Sequence, residues 1–298
     1  MTSIYKRQTL IRTICFMSFF VAINVICSFL TTLFPLISVI LIIFLPLTSA
    51  LVEVMCKDRW FPIYAFATIG LSIVVSLSSI DFTLFYIVPS IVSGYIFGLF
   101  AKHRLPSMYA IFFASLAQTL LSFLFIPILK LITGINIIDF FAKILRISDI
   151  FWFNTLVLLI FFIVSLLQTI LSYIVVNNEL VKFTRENPWK LSKDNVASVS
   201  CLSSIVFMVA FSFFYLPASY FLLGIAFYFG VFVVIEQAQL KQKVSLIIDA
   251  AVIFVVIVLY AILNKYIKDG YDLLLFGAVP TLISIISIFH YFLKKSEQ

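Results

Sequence analysis

Charge is what this chain has least of. Only 11% of its 298 residues are Asp, Glu, Lys or Arg, and 63% are hydrophobic, whereas a soluble domain carries about 25% charged residues. So few charges cannot clothe a water-exposed surface, and lipid is the solvent this composition demands. Histidine occurs twice, and the four cysteines (Cys15, Cys27, Cys56 and Cys201) are scattered with no Cys-x-x-Cys. Zinc and iron sites need clustered ligands of these types, so no metal and no cofactor is expected. Three of the cysteines lie inside apolar stretches, where the side chain behaves as a small hydrophobe. Gly-x-x-x-x-Gly-Lys-Ser/Thr, His-Glu-x-x-His and Gly-x-Ser-x-Gly are all missing, which removes the usual phosphate-binding, metalloprotease and hydrolase signatures. His103 sits between Lys102 and Arg104, His290 lies near the C-terminal end, and neither has a carboxylate close in sequence to orient it. The expectation is that the protein is not an enzyme. The formal charge of +7 is spread over short loops rather than one face, which argues against a nucleic-acid partner.

What the chain does have is long apolar runs. A membrane helix needs about 20 mostly apolar residues. Candidate spans are 10–32, 35–52, 61–79, 83–100, 108–130, 151–176, 197–216, 219–236, 244–264 and 273–293. The seventh and eighth are parted only by Leu216-Pro217-Ala218. Reading that pair as one bent hairpin lowers the count, so about ten spans, eight to ten, are expected. The basic N-terminus (Lys6, Arg7, Arg12) and the run after it imitate a signal peptide, but without a small-residue cleavage site they read as a retained first helix.

Basic residues orient the spans, because cytoplasmic loops retain them. With the N-terminus inside, the inner gaps hold Lys6, Arg7, Arg12, Lys57, Arg59, Lys102, Arg104, Lys182, Arg185, Lys190, Lys193, Lys241, Lys243, Lys294 and Lys295. The outer gaps hold only Lys130, Lys143, Arg146, Lys265 and Lys268. Removing one span would invert every later loop and erase this asymmetry. The expected fold is therefore an all-α polytopic transmembrane bundle with both termini inside, in a bacterial cytoplasmic membrane.

Two gaps are longer than turns. In 136–148, Asn136, Asp139, Lys143 and Arg146 recur at helical spacing with Phe and Ile between them, the pattern of an amphipathic helix lying in the outer interface. Residues 177–195 form the longest inner gap, and Trp189 there is of a type favoured at headgroup level. The expected organisation is a six-span region 1–176, the inner loop 177–195 and a four-span region 196–298.

Polar groups inside a bilayer are costly, so each is a site candidate. Asp249 is the one acid well inside a span, and it could bind a cation or a proton or pair with a basic residue at the interface. Glu53 and Glu236 lie at inner span ends, where solvation is expected. Ser165, Gln168, Thr169 and Ser172 share one face of the sixth span, with Gln118 of the fifth as a natural partner or ligand group. Asn24, Tyr86, Ser90, Trp152 and Asn154 fall in the outer halves of front spans and, with Gln118, suit a small, largely uncharged ligand. Tyr86 and Trp152 are equally expected of an interfacial aromatic belt. Ser90, Gly94 and Gly98 follow at four-residue steps, and Ser18 and Ala22 repeat the pattern in the first span. Such small faces serve helix packing or subunit docking.

Six spans in the first 176 residues, a short outer turn after the first, and Val88-Pro89-Ser90-Ile91-Val92-Ser93-Gly94-Tyr95-Ile96-Phe97-Gly98 before a basic turn resemble the S components of energy-coupling factor (ECF) vitamin importers. The loop Glu186-Asn187-Pro188-Trp189-Lys190-Leu191, the Leu223-Gly224-Ile225 run and the basic C-terminal end resemble the longer YybS-like membrane family, held to be related to those S components. The resemblance implies a substrate-binding subunit for a vitamin or other micronutrient. It also implies a transmembrane coupling partner and cytoplasmic ATPases. Docking in S components uses small residues of the first helix, which match Ser18 and Ala22 here, and only Ala22 is the usual alanine.

Two other functions stand beside this one. A ten-helix drug/metabolite-type secondary transporter agrees in length, span count and termini. It is a pair of five-helix inverted repeats, whereas here spans one and six show no evident similarity and the long inner gap follows span six. A membrane scaffold or enzyme of envelope or spore assembly is the third.

Overall fold

The computed structural model describes residues 10–34, 37–76, 83–134, 150–184, 188–189, 196–239, 243–263 and 272–296. Ten α-helices run through them: α1 (Leu10–Leu33), α2 (Ile37–Met55), α3 (Phe61–Val75), α4 (Val88–Lys102), α5 (Ser107–Thr133), α6 (Ile150–Thr184), α7 (Val196–Ser212), α8 (Leu216–Gln239), α9 (Lys243–Leu263) and α10 (Ala278–Ser296). A 3₁₀ turn, Asp58–Trp60, precedes α3; a π turn, Thr83–Ile87, leads into α4; and a second 3₁₀ segment, Asp272–Gly277, leads into α10. The described residues include no β-strand.

Burial on these helices is inverted relative to a soluble protein. On α1 the inward face is Thr13, Met17, Val21, Asn24, Ser28 and Thr31, at helical spacing. Ile11, Ile14, Phe19, Ile26 and Phe29 of the same helix point outward. On α7, Ser198, Cys201 and Ser204 are inside, while Val199, Val206, Phe207 and Val209 are outside. Large apolar side chains all round the exterior are stable only in hydrocarbon. Among the described residues, seven helices, counting the π turn with α4 and the 3₁₀ segment with α10, are long and apolar enough to cross a membrane. The chain is an integral membrane protein built as a helical bundle.

The helix boundaries differ from the sequence spans where local chemistry is strong. Pro217 is the second residue of α8, not part of the turn; proline costs nothing in a first helical turn, whose N–H groups lack partners anyway. The chain turns instead at Phe213–Tyr215, closed by Tyr215 N–H donating to the Phe211 carbonyl at 2.8 Å. The sixth helix does not stop at 176 but continues to Thr184, and the amphipathic segment 136–148 lies outside the described residues.

The chain forms two compact units. Unit 1 contains α1–α5 and the part of α6 from Val164 onward; unit 2 contains the part of α6 up to Ile163 and α7–α10. In unit 1, α2 packs on α4, α4 on α5, and α1 on α2 and α3. Unit 2 is arranged around α8, against which α7, α9 and α10 pack.

Candidate functional site

A close helix approach in unit 1 follows from two glycines. A Cβ on Gly94 would lie 2.3 Å from the Pro46 carbonyl oxygen and 2.6 Å from Ser49 Cβ. One on Gly98 would lie 2.9 Å from the Ala50 carbonyl oxygen and 2.6 Å from Glu53 Cβ. One helical turn apart, the two let the α4 backbone rest on α2, where van der Waals contact replaces the hydrophobic drive that lipid removes. Gly94 and Gly98 are thus engaged within the chain. Ser18 and Ala22 are not: both are exposed on α1.

Behind that contact lies a buried polar network. Asn24 Nδ2 donates to the Tyr64 hydroxyl at 2.7 Å. Thr48 Oγ1 lies 3.1 Å from Asn24 Oδ1 and 2.8 Å from the Leu45 carbonyl oxygen. The Tyr64 hydroxyl in turn donates to Thr48 Oγ1 at 3.1 Å and meets Ser49 Oγ at 3.3 Å. Asn24, expected among the ligand groups, here ties α1, α2 and α3 together. One turn beyond Asn24, Ser28 is buried with no partner for its hydroxyl among the described residues. The same holds for Ser72, two turns beyond Tyr64, and for Ser90 on α4. Ser76 and Thr83 are buried beside each other, hydroxyl to hydroxyl at 2.7 Å. Unit 1 therefore holds an uncharged set of hydroxyl and amide groups, some still open to a partner. Tyr86 stands at the edge of this region, more than a third exposed. Trp152 and Asn154 fall on α6, but their side chains lie outside the described residues.

Tyr64, Thr68, Ser72 and Ser76 were not singled out by sequence reasoning. They follow one another at i, i+4 along α3 and the residue just past its end, and that ladder was the available signal. The α6 polar face meets α5 where Gln118 Nε2 donates to Gln168 Oε1. Ser165, Thr169 and Ser172 are buried on the same side of α6.

At one end of α2 and α4 sits an ion cluster. Lys102 Nζ donates to Asp58 Oδ1 and reaches Glu53 Oε1 at 3.3 Å. Glu53, expected to be solvated, is 1% exposed, and its Oε2 has no hydrogen-bond partner among the described residues. The hydrogen bond from Lys102, and then its charge, hold the Asp58 carboxyl below the usual carboxylate range. Cys56, just past α2, is buried, and desolvation with the nearby Glu53 charge pushes its thiol up to about 11. Such a thiol stays protonated and unreactive at neutral pH. Glu236 on α8 is half-buried rather than solvated. Trp189 is buried, donates from Nε1 to Asn177 Oδ1 at 2.8 Å and stacks edge-on against Tyr173 at 5.2 Å.

In unit 2, Cys201 Sγ lies 3.3 Å from the Ala226 carbonyl oxygen and 3.5 Å from that of Pro280. Asp249 is buried on α9, with Gln237 of α8 as the polar side chain acting on it. No group of three or more His, Cys, Asp or Glu that could hold a metal ion is found among the described residues. No family model matches this chain, and neither a curated protein nor a solved structure does.

Proposed function

We propose that the protein is the substrate-binding membrane subunit of an ECF-type importer, taking up a vitamin or another small micronutrient. One observation carries this. The outward stripe of α1 is Ile11, Cys15, Ser18, Ala22, Ile26, Phe29 and Leu33, every one exposed, with three small residues together at its centre. Lipid chains gain nothing from small residues, whereas a neighbouring helix needs them for close approach. Ser18 and Ala22 thus form the seat for a transmembrane coupling protein. On the opposite face of α1, the uncharged groups around Ser28, Ser72 and Ser90 supply hydrogen bonds for a ligand that carries little charge. With ten spans and both termini inside, as the basic residues imply, the Trp189 loop and the Lys102 cluster face the cytoplasm in this reading, where ATPases act. The test is recovery from native membranes of a complex that hydrolyses ATP.

A stand-alone secondary transporter is the second reading, and one observation favours it. Unit 2 takes the first part of α6 with its four helices, so unit 1 holds five helices and a part and unit 2 four and a part, close to a repeat pair. Ion-driven solute uptake by the protein alone in liposomes would select it.

A further inference from the structure

Unit 2 buries a carboxylate that no described residue neutralises. Asp249 is 2% exposed, and neither of its oxygens has a hydrogen-bond partner among the described residues. Gln237 on α8 is 1% exposed, and both its Nε2 and its Oε1 are likewise without one. Gln237 is the side chain that bears on the Asp249 carboxylate, without reaching hydrogen-bond geometry, and α8 packs on α9. Ser245, one turn before Asp249, is buried with its hydroxyl likewise left open. Polar atoms in hydrocarbon are normally paired, and a bare carboxylate there is the most costly of all.

The elements packed against α9 are α8, α10 and the Asp272–Gly277 segment. They carry the titratable residues Tyr220, Tyr228 and Glu236 on α8, His290, Tyr291, Lys294 and Lys295 on α10 and Asp272 in the 3₁₀ segment, the side chains of Asp272, Lys294 and Lys295 lying outside the described residues. None of the described ones hydrogen-bonds to Asp249. Four open atoms on two facing side chains, one of them an amide, have a specific chemical complement. A carboxylic acid and a primary amide form a cyclic pair in which the acid O–H donates to the amide oxygen and the amide N–H donates to the acid carbonyl.

We propose that Asp249 and Gln237 are a proton-binding site. One proton, taken from water onto Asp249, lets its hydroxyl donate to Gln237 Oε1 while Gln237 Nε2 donates to the other Asp249 oxygen. That single event satisfies all four atoms and removes the charge from the bilayer. A metal cation would meet the oxygens but not Nε2, so the amide selects the proton. Release of the proton places a charge between α8 and α9, so the packing of these two helices follows pH.

The experiment is infrared difference spectroscopy of the full chain in lipid nanodiscs as pH is varied. The expected result is a protonated-carboxyl C=O band that is lost on raising pH, is absent from Asp249→Asn, and is unchanged when sodium chloride is added at fixed pH. In parallel, the thermal midpoint of the wild type should rise as pH falls. Asp249→Asn, whose amide–amide pair makes the same two bonds without a proton, should lose this rise and keep only the pH dependence that Asp58 and the buried Glu53 contribute. An Asp249→Asn variant with the same band and the same pH slope as the wild type would overturn the proposal. So would the absence of any such band in folded wild type, or its removal by sodium at constant pH. Should Asp249→Asn not fold, Gln237→Leu decides: a shifted band supports the acid–amide pair, and an unshifted one overturns it.

Discussion

Glu53 shows most sharply how single side chains divide between lipid and protein. In sequence it is an acid at a helix end, which water would normally solvate. Its partner Lys102 lies 49 residues away, beyond the reach of any local pattern, and so the burial could not be read in advance. Losing one member of a buried ion pair strands the other, at a cost of about 3–5 kcal/mol. Lys102→Met should therefore lower stability by about 3 kcal/mol, at the low end because the lysine is 15% exposed. Glu53→Gln, which leaves Lys102 its Asp58 partner, should cost much less; thermal unfolding in detergent measures both. Asp58 gives a weaker, pH-dependent effect, since it is 61% exposed. Its carboxyl binds protons less readily folded than unfolded, so its contribution is present at neutral pH and fades as pH falls through the depressed value. Asp58→Asn should flatten the acid end of the stability–pH curve; an unchanged acid limb would show that Lys102 does not act through Asp58.

At the scale of the element, apolar periodicity and proline made all ten helices legible, because lipid leaves the backbone no alternative to internal hydrogen bonding. Partner choice was legible where small residues announced it and in Gln118, a natural partner for the α6 polar face, which bonds Gln168. Gly94 and Gly98 stand four apart, and the structure spends them on Pro46, Ala50 and Glu53 of α2. Gly94→Leu should be destabilising by more than the about 1–3 kcal/mol usual for overpacking, since backbone atoms have nowhere to yield; Gly70→Leu, with open space around it, should be neutral by the same unfolding assay. The Asn24–Tyr64–Thr48 network and the return of Trp189 onto α6 were not legible. Each joins a polar group to one on a different turn or helix, and composition alone reads such groups as ligands or interface anchors.

For the whole molecule, the alternation of basic loops carries the orientation. Fusions after Trp189 and at the C-terminus should both report a cytoplasmic location, fluorescent with a green fluorescent protein and inactive with alkaline phosphatase; an active phosphatase at either point would contradict the ten-span arrangement that the basic residues imply. The candidate ligand region was read in part. Ser90 remains an open hydroxyl in unit 1 and Tyr86 lies at the rim, whereas Asn24 is occupied by Tyr64 and Thr48. The most direct measurement concerns the small stripe of α1. Affinity-tagged wild type and a Ser18→Leu/Ala22→Leu variant would be purified from native membranes and assayed for co-purifying ATP hydrolysis and for thermal stability. The wild type should bring down a membrane coupling protein with its ATPases, and the variant should lose them at an unchanged unfolding midpoint. Wild type recovered alone, and driving ion-coupled solute uptake by itself in liposomes, would contradict the account.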